Sequence, residues 1–265
     1  MHDLLKGLPP NGRVLDLGCA GGSFGEDGTH VVIRLDIEHR LEAGGNFVMA
    51  DAAQLPFPGR AFDLVIANHS LEHIADLDTC LLEIGRVICA KGGFFVSVPD
   101  SSTITDKIYR WLARGGGHVN PFVSSPLLAQ KIESLTGLPH TGTRSLCTSL
   151  SFMNKHNRRA KAPRRLLLLG GGSNVSLLLL NFLFRWSDRL FKTRLCVYGW
   201  ALYFGSLQPE GPGEIWTNVC IRCGAGHDAK KLAGVAKFPA TYRCPNCDTR
   251  NILSNDGDFT HLISR

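Results

Sequence analysis

The sequence lacks a general excess of charge of either sign. It contains 29 Lys and Arg against 23 Asp and Glu, a formal net charge of +6. Six of the basic residues and no acidic one lie in segment 155–165 (KHNRRAKAPRR), so the counts outside it are 23 and 23. Because the surplus is confined to one segment, it indicates a solvated linker or one local contact with an anionic partner.

The sequence also lacks the patterns typical of a secretory leader at Met1 and of a disulfide scaffold. No basic stretch followed by an apolar run begins at Met1, and the nine cysteines are odd in number. Isolated cysteines in apolar surroundings are ordinarily small buried hydrophobes; these are Cys19, Cys80, Cys89, Cys147 and Cys196. The other four form two close pairs. We therefore expect a reducing compartment and a cytoplasmic protein, not a secreted disulfide scaffold.

Short apolar segments alternate with helical ones over the first hundred residues. A helix is predicted from a cap at Asp76 to about Ile88, because apolar residues recur there at helical spacing. Such alternation is typical of a parallel sheet covered on both faces. We predict an α/β, Rossmann-like, doubly wound fold, with its first strands at 14–17, 31–35, 47–49, 62–67 and 94–98.

The later part of the chain is less regular. Helices are predicted at 104–112 and 124–136, and strands at 144–152 and 196–204 bring the mainly parallel sheet to seven strands. Residues 153–195 are then an insertion between the last two strands of a first domain, 1–210. Residues 211–265 form a small second domain.

The stretch 14–25 (VLDLGCAGGSFG) predicts a buried strand that enters a glycine turn. Glycine has no Cβ and therefore lets backbone N–H groups approach a ligand. The dinucleotide fingerprint requires glycine at three positions counted from Gly18, but the second and third are Ala20 and Ser23. The missing glycines favour a ligand without a pyrophosphate.

S-adenosylmethionine (SAM) is such a ligand. Asp36, at the end of the second strand, can accept hydrogen bonds from two ribose hydroxyls, and Asp51 with Ala52 lies where an adenine amino group can bind. The segments VLDLGCAGG, LDIE, ADAAQLPF, FDLVIANHSLEHI and RVICAKGGFFVSVP together resemble class I SAM-dependent methyltransferases, particularly the small-molecule type 11 group. The resemblance covers about residues 5–152 and includes the loop HVNPF with the helix after it.

The resemblance implies a role for individual residues. Asp16, Gly18, Cys19 and Gly22 would line the methionine end of SAM, Asp36 and Ile37 the ribose and adenine, Asp51 and Ala52 the adenine, and Asn68 the entrance to the acceptor site. The connection from Asp16 to Asp36 is shorter than is usual in the family, so a short first helix and an open pocket are expected. The alternative is a doubly wound fold that binds another nucleotide or has lost its ligand.

Methyl transfer from a sulfonium needs mainly that donor and acceptor are held in line. A base is needed only if the acceptor must lose a proton. His69 and His118 are the candidates, while His73, at the start of a helix, is interpreted as structural. The Asn/Asp-Pro-Pro-aromatic motif of many amino-group methyltransferases is absent after the fourth strand, where the chain reads ANHS. Its absence disfavours a nucleobase acceptor.

Two Cys-x2-Cys pairs near the C-terminus form a second signal: Cys220 with Cys223, and Cys244 with Cys247. Two such turns present four thiolates tetrahedrally, as a structural Zn²⁺ site requires. Iron in a rubredoxin-like site and a redox dithiol are the alternatives, although the latter needs only one pair. Four cysteines leave no open coordination position, so we expect a zinc ribbon with a structural or partner-binding role.

Residues 166–184 are largely leucine and phenylalanine, but GGGSN interrupts them. A membrane-spanning helix needs ~20 predominantly apolar residues, so a spanning helix is disfavoured. A helix at about 174–191 with a wide apolar face is predicted. We expect that face to be buried against the sheet or as a lid over the acceptor pocket. The alternative is a peripheral contact of 155–192 with an anionic membrane surface.

These patterns predict a cytoplasmic SAM-dependent methyltransferase with a structural Zn²⁺ and a small-molecule or lipid- or glycan-linked acceptor. Two alternatives remain open. One is an RNA methyltransferase that holds its substrate with the basic insertion and the ribbon. The other is a non-catalytic SAM-binding scaffold whose ribbon recruits a partner.

Overall fold

A seven-stranded sheet forms the centre of the structure. The computed structural model describes residues 2–5, 7–20, 28–38, 46–112, 117–156, 172–209, 218–227, 232 and 241–254. The strands are β1 (Arg13–Leu17), β2 (Val31–Asp36), β3 (Asn46–Met49), β4 (Phe62–Asn68), β5 (Ile88–Pro99), β6 (His140–Cys147) and β7 (Val197–Gly205). Their order is β3-β2-β1-β4-β5-β7-β6, and the four pairs among β1 to β5 are parallel. The predicted seven-stranded, mainly parallel, Rossmann-like sheet is confirmed.

The helices and two short ribbons complete the described elements. The helices are α1 (His2–Leu5), α2 (Leu77–Val87), α3 (Ile104–Leu112), α4 (Ser125–Thr136) and α5 (Asn174–Phe191), with 3-10 turns at Leu71–His73 and Ser151–Met153. The ribbons are antiparallel pairs of β8 (Asn218–Val219) with β9 (Gly226–His227) and of β10 (Thr241–Arg243) with β11 (Arg250–Ile252). The predicted first helix, between β1 and β2, lies largely outside the described residues.

Local sequence signals set several of these boundaries. The Asp76 carboxylate accepts from the Thr79 N–H at 3.1 Å and caps α2, as predicted. Helix α4 ends at Gly137, whose φ of +72° closes the helix in the left-handed region. The strand predicted at 144–152 is wrong in its second half. Leu150 has a φ of +57°, so the extended chain ends and a 3-10 turn follows.

The chain divides into two compact units. The first comprises residues 1–99, 117–143 and 200–212, and the second comprises 100–116, 144–199 and 213–265. The core of the first unit joins strands β1, β4 and β5 to helices α2 and α4, with Leu17, Val65, Leu81, Phe94 and Ile132 among its buried side chains. The four sheet strands that carry the candidate cofactor residues therefore belong to this unit.

In the second unit the cysteine-rich segment packs with α5. Leu150, Met153, Leu177 and Ile221 form one buried apolar cluster, with Ile108 of α3 packed against it. The Ser149 hydroxyl donates to the Cys220 carbonyl at 2.8 Å. The domain boundary at residue 210 stays a prediction. Among the described helices, none is both long enough and apolar enough to cross a membrane.

Helix α5 has the predicted bounds, but it is oriented opposite to expectation. Its buried residues are Leu177, Asn181, Arg185 and Asp188, three of them polar. The large side chains of the other face are exposed: Val175, Leu179, Phe182, Leu183, Trp186, Leu190 and Phe191. The expectation that this apolar face is buried is therefore wrong. Three hydrogen-bonding side chains therefore share the inner face of the helix with Leu177 and the partly buried Leu178, Leu180 and Phe184.

Candidate cofactor site and cysteine cluster

The turn after β1 lies at the carboxyl end of that strand, beside the point between β1 and β4 where the strand order of the sheet reverses. The N–H groups of Gly18 and Cys19 both donate to the Leu35 carbonyl of β2, at 2.8 and 3.0 Å. Gly18 has a φ of +65°, and a Cβ built there would lie 2.5 Å from the Ser70 Cβ. Conformation and space both require glycine at this position. The turn is thus fitted between the ends of β2 and β4.

Asp36 connects the end of β2 to this turn. Its carboxylate accepts from the N–H groups of Ala20, at 2.9 Å, and Glu38, at 3.1 Å. Ala20 has a φ of +47°, an uncommon conformation for a residue with a Cβ. Ala20 thus departs from the glycine fingerprint in residue type but keeps a left-handed backbone, which its bond to Asp36 stabilises.

The next residues along the same edge differ in their exposure. Ile37 directly follows Asp36 and is 68 % exposed. Asp51 follows β3, is exposed, and accepts from the Ala53 N–H at 2.9 Å. Ala52 is half-buried against the core. Because β1, β2 and β3 are parallel, their carboxyl ends lie on one edge, where doubly wound sheets bind ligands. The exposed Ile37 side chain can contact the apolar face of an adenine, and the carboxylates of Asp36 and Asp51 can accept hydrogen bonds from the polar groups of an adenosine.

Cys19 belongs to the turn, and its thiol is protonated at neutral pH. Burial, supplemented by the carboxylates of Asp16 and Asp36, raises the pKa of this thiol to about 11. The thiolate and not the thiol is the nucleophile. Cys19 can therefore line a pocket without reacting. Asp16 is fully buried behind it.

The turn after β4 stands beside the β1 turn, because β1 and β4 are neighbours in the sheet. The Asn68 side-chain oxygen accepts from the Ser97 hydroxyl at 2.7 Å, and the His69 N–H donates to the Ser97 carbonyl at 2.9 Å. The His69 Nδ1 lies 3.6 Å from Oε1 of Glu72, a carboxylate that is only 1 % exposed. This arrangement pairs a histidine with a buried acid.

The 117–120 segment packs onto the 3-10 turn that contains Glu72. The Glu72 carbonyl accepts from the N–H groups of Val119, at 2.8 Å, and Asn120, at 3.1 Å. The His73 Nδ1 lies 3.0 Å from the Gly117 carbonyl oxygen. The rings of His73 and His118 meet edge to face, with centroids 4.9 Å apart. Ligating atoms of Glu72, His73 and His118 all lie within 4.8 Å of one another.

The structure thus brings most of the expected residues to one edge of the first unit. Gly22 lies outside the described residues, and its predicted role stays a prediction. Glu72 was not among the sequence candidates. Its position beside His73 in the LEH segment was the one available signal, and its burial depends on the distant 117–120 segment.

The four paired cysteines converge in the second unit. All four Sγ atoms lie within 4.8 Å of one another, with Cys220 to Cys247 and Cys223 to Cys244 each at 3.6 Å. Tetrahedral Zn–S bonds of about 2.3 Å place sulfurs roughly 3.8 Å apart. The spacing and the donor set therefore fit a structural Zn²⁺.

Both cysteine pairs lie in turns of the same shape. The Gly224 N–H donates to the Cys220 carbonyl at 3.0 Å, and the Asp248 N–H to the Cys244 carbonyl at 2.8 Å. Gly224 and Asp248 both have positive φ, +73° and +57°. His227, which the cysteine spacing did not reveal, has its Nε2 3.3 Å from the Cys244 Sγ.

The cysteine pKa values differ within the cluster. Burial raises the pKa of Cys223 and of Cys244. Burial also acts to raise the pKa of Cys247, but hydrogen bonds with Thr249 outweigh it and lower the value to about 6. The Cys247 thiol thus ionises more easily than the thiols of Cys223 and Cys244, and a bound cation would favour the thiolate form of both.

Comparison with known proteins concerns the first unit. Residues 15–97 match the family model described as "Methyltransferase domain". This region of the chain is therefore similar to a methyltransferase domain. The SAM-dependent methyltransferase from Archaeoglobus fulgidus is 19 % identical, and the alignment covers 77 % of this chain and 88 % of that one with a TM-score of 0.52. This likeness confirms the expected methyltransferase fold.

Several curated relatives of this region carry names of O-methyltransferases. The ubiquinone biosynthesis O-methyltransferase of Azorhizobium caulinodans is 29 % identical over 142 residues, 45 % of this chain and 54 % of the relative. The malonyl-[acyl-carrier protein] O-methyltransferase of Serratia marcescens is 26 % identical over 125 residues, 43 % of this chain and 49 % of the relative. The chain spans about half the length of these relatives.

Proposed function

We propose that the protein transfers a methyl group from SAM to a small-molecule or lipid-linked acceptor. The observation that carries this proposal is the hydrogen-bonded turn of Gly18, Cys19 and Ala20, held against Asp36 at the reversal point of the sheet. The family match and the names of the curated relatives support it.

We assign each residue at this edge a contact with one part of bound SAM. Bound SAM supplies an electrophilic methyl group on a sulfonium. In this proposal, Asp16 and the Gly18–Cys19 turn hold its methionine end, and Asp36 accepts from its ribose hydroxyls. Ile37 covers the adenine, and Asp51 with Ala52 binds its edge. Asn68 borders the entrance for the acceptor. Alignment of donor and acceptor then supplies much of the rate enhancement.

The proposed acceptor is a hydroxyl, whose proton His69 takes up. Oxygen is the methylated atom in the names of the two O-methyltransferases described above, although the ajmaline N-methyltransferase of Rauvolfia serpentina, 32 % identical over 72 residues, names nitrogen. A neutral hydroxyl must lose its proton during methylation. The buried Glu72 carboxylate, 3.6 Å from His69 Nδ1, would stabilise the imidazolium that forms. His118 is the second candidate.

Calorimetry with S-adenosylhomocysteine tests the cofactor assignment. Asp36→Ala should weaken binding by about tenfold or more, because two ribose hydroxyls lose a charged acceptor. Asp78→Ala removes an exposed carboxylate from α2 and serves as the matched control, with unchanged affinity. Absence of binding by the unaltered protein, or equal affinity of the Asp36→Ala variant, overturns the proposal.

The acceptor class is tested by the formation of S-adenosylhomocysteine from SAM. An organic-solvent extract of cells should support turnover, whereas purified total RNA should not. The His69→Gln and Glu72→Gln variants should lose turnover while they retain S-adenosylhomocysteine affinity. Turnover with RNA alone would instead favour an RNA methyltransferase.

We also propose that the four cysteines hold one structural Zn²⁺. The 3.6 Å sulfur separations and the two matching turns support this site. Metal analysis of protein purified without chelators should find about one zinc per chain. Cys220→Ser should lose the metal, while Cys89→Ser, a change at an isolated cysteine, should retain it. Iron in place of zinc would contradict the proposal.

A further inference from the structure

The outer face of α5 carries a continuous stripe of large apolar side chains. Its members recur at intervals of three and four residues and are 49–70 % exposed: Val175, Leu179, Phe182, Leu183, Trp186 and Leu190. Residues at this spacing share one face of a helix. An α-helix of this length extends about 27 Å, so the stripe is longer than scattered surface hydrophobes would produce.

The inner face of α5 is fixed by polar side chains. Asn181 donates to one backbone carbonyl outside the helix, Arg185 to another, and Asp188 accepts from two backbone N–H groups. The partners are Ser149 at 2.7 Å, Ile252 at 2.8 Å, Leu195 at 2.7 Å and Cys196 at 2.8 Å. Rotation of the helix to hide its apolar stripe would break these bonds and leave buried polar groups unpaired. The apolar stripe of α5 therefore remains exposed to solvent.

The charges near the stripe are almost all positive. Residues 155–195 contain ten Lys and Arg and one acidic residue, Asp188, which is buried. Arg189 and Lys192 are exposed at the C-terminal end of α5. At the other end, the Lys155 N–H donates to the Gly172 carbonyl at 3.0 Å, so the basic 155–165 segment begins beside the start of the helix. Positive charge thus occurs at both ends of the stripe.

We propose that the outer face of α5 binds the surface of an anionic lipid bilayer. An apolar face with basic residues at its ends is suited to the boundary between acyl chains and anionic headgroups. A second copy of this chain fits less well, because apposed stripes would bring together two sets of the exposed basic residues Lys155, Arg189 and Lys192. This inference does not depend on methyl transfer, and it can fail while the proposed function holds.

Co-sedimentation of the full chain with lipid vesicles tests the inference. The protein should bind phosphatidylcholine vesicles that contain about 30 % phosphatidylglycerol, and bind vesicles of phosphatidylcholine alone more weakly. The double variant Leu179→Gln/Trp186→Gln should lose about tenfold or more in vesicle affinity. Leu82→Gln changes an apolar residue that is 53 % exposed on α2, and it should bind as the unaltered protein does.

Two further measurements separate the inference from its rivals. Unchanged thermal unfolding of the double variant shows that the loss of binding is not a loss of fold. Light scattering of the unaltered protein should show no dimer that the double variant abolishes. Failure to bind anionic vesicles, equal loss in Leu82→Gln, or a dimer that depends on Leu179 and Trp186 would each overturn the inference.

Discussion

Helices α2 and α5 are both amphipathic, but they bury opposite faces. Helix α2 buries only apolar side chains: Leu77, Cys80, Leu81, Ile84 and Val87. Helix α5 buries Asn181, Arg185 and Asp188 beside a single leucine and exposes its apolar face. Apolar packing stabilises α2 within the protein, whereas α5 combines apolar packing around Leu177 with hydrogen bonds from three buried polar side chains. An apolar face therefore indicates which side of a helix needs a non-aqueous partner, not that the same chain supplies it.

Among changes that distinguish α2 from α5, removal of the proposed Zn²⁺ is expected to have the largest effect. Structural zinc contributes apparent binding free energies of about 10–16 kcal/mol in zinc-finger peptides. Ile221 of the cysteine-rich segment shares a buried cluster with Leu177 of α5. Treatment with a strong chelator should therefore raise amide hydrogen exchange in α5 and leave α2 protected. If chelation left the amide exchange rates of α5 as unchanged as those of α2, the result would show that the cysteine cluster does not support α5.

The same substitution in the two helices should have very different effects. Leu81→Ala in α2 deletes a fully buried side chain and should cost about 3 kcal/mol of unfolding free energy. Leu183→Ala in α5 changes a side chain that is 54 % exposed and should cost less than about 0.5 kcal/mol. Urea unfolding of the two variants measures both values. Comparable losses would mean that the outer face of α5 is covered in solution.

Removal of an aspartate carboxylate should instead lower the free energy of unfolding more in α5 than in α2. Asp188→Ala leaves the N–H groups of Leu195 and Cys196 without their acceptor and should cost about 2 kcal/mol. Asp78→Ala removes an exposed carboxylate from α2 and should cost less than about 1 kcal/mol. Urea unfolding again provides the measurement. A smaller loss for Asp188→Ala than for Asp78→Ala would refute the assignment of the inner face of α5 to hydrogen bonding.

The smallest expected difference concerns the first turns of the two helices. Hydrogen bonds from Thr79 hold the pKa of Asp76 below its ordinary value of 3.8, whereas α5 is capped by Ser173, which does not titrate. A carboxyl group whose pKa is lower in the folded than in the unfolded protein stabilises the fold. That stabilisation is complete above the pKa of the unfolded state and is lost as the pH falls through the pKa of the folded state. Acidification should therefore loosen the Thr79 amide but not the Ser176 amide, as NMR exchange rates can show.

The sequence predicted those parts of the fold that local patterns determine. The parallel strands, the Asp76 cap and the bounds of α5 agree with the structure, because apolar periodicity and capping residues act over a few positions. The left-handed Leu150 was not predictable, since its conformation depends on distant packing. The orientation of α5 was missed because periodicity distinguishes two faces of a helix without showing which one the protein covers.

The candidate sites divide in the same way. Four cysteines at regular spacing were sufficient to anticipate a cluster whose sulfur atoms converge. Glu72 and His227 were missed, because each takes its place through contacts between segments that are far apart in the chain. The roles assigned to Asp36, Asp51 and Asn68 stay predictions until the cofactor is measured.

The close approach of Gly18 to Ser70 has a consequence for which substitutions the turn after β1 can accept. Any side chain at position 18 would strike Ser70, and a bulkier residue at position 70 would crowd the backbone of the β1 turn. A larger side chain at either position therefore requires a compensating change at the other. In the 117–120 segment, the Asn120 side chain donates to the carbonyls of Leu71 and Ile74, whereas Val119 is held by a backbone hydrogen bond to Glu72. A change of side chain at Val119 is therefore expected to disturb the structure less than a change at Gly18 or Asn120.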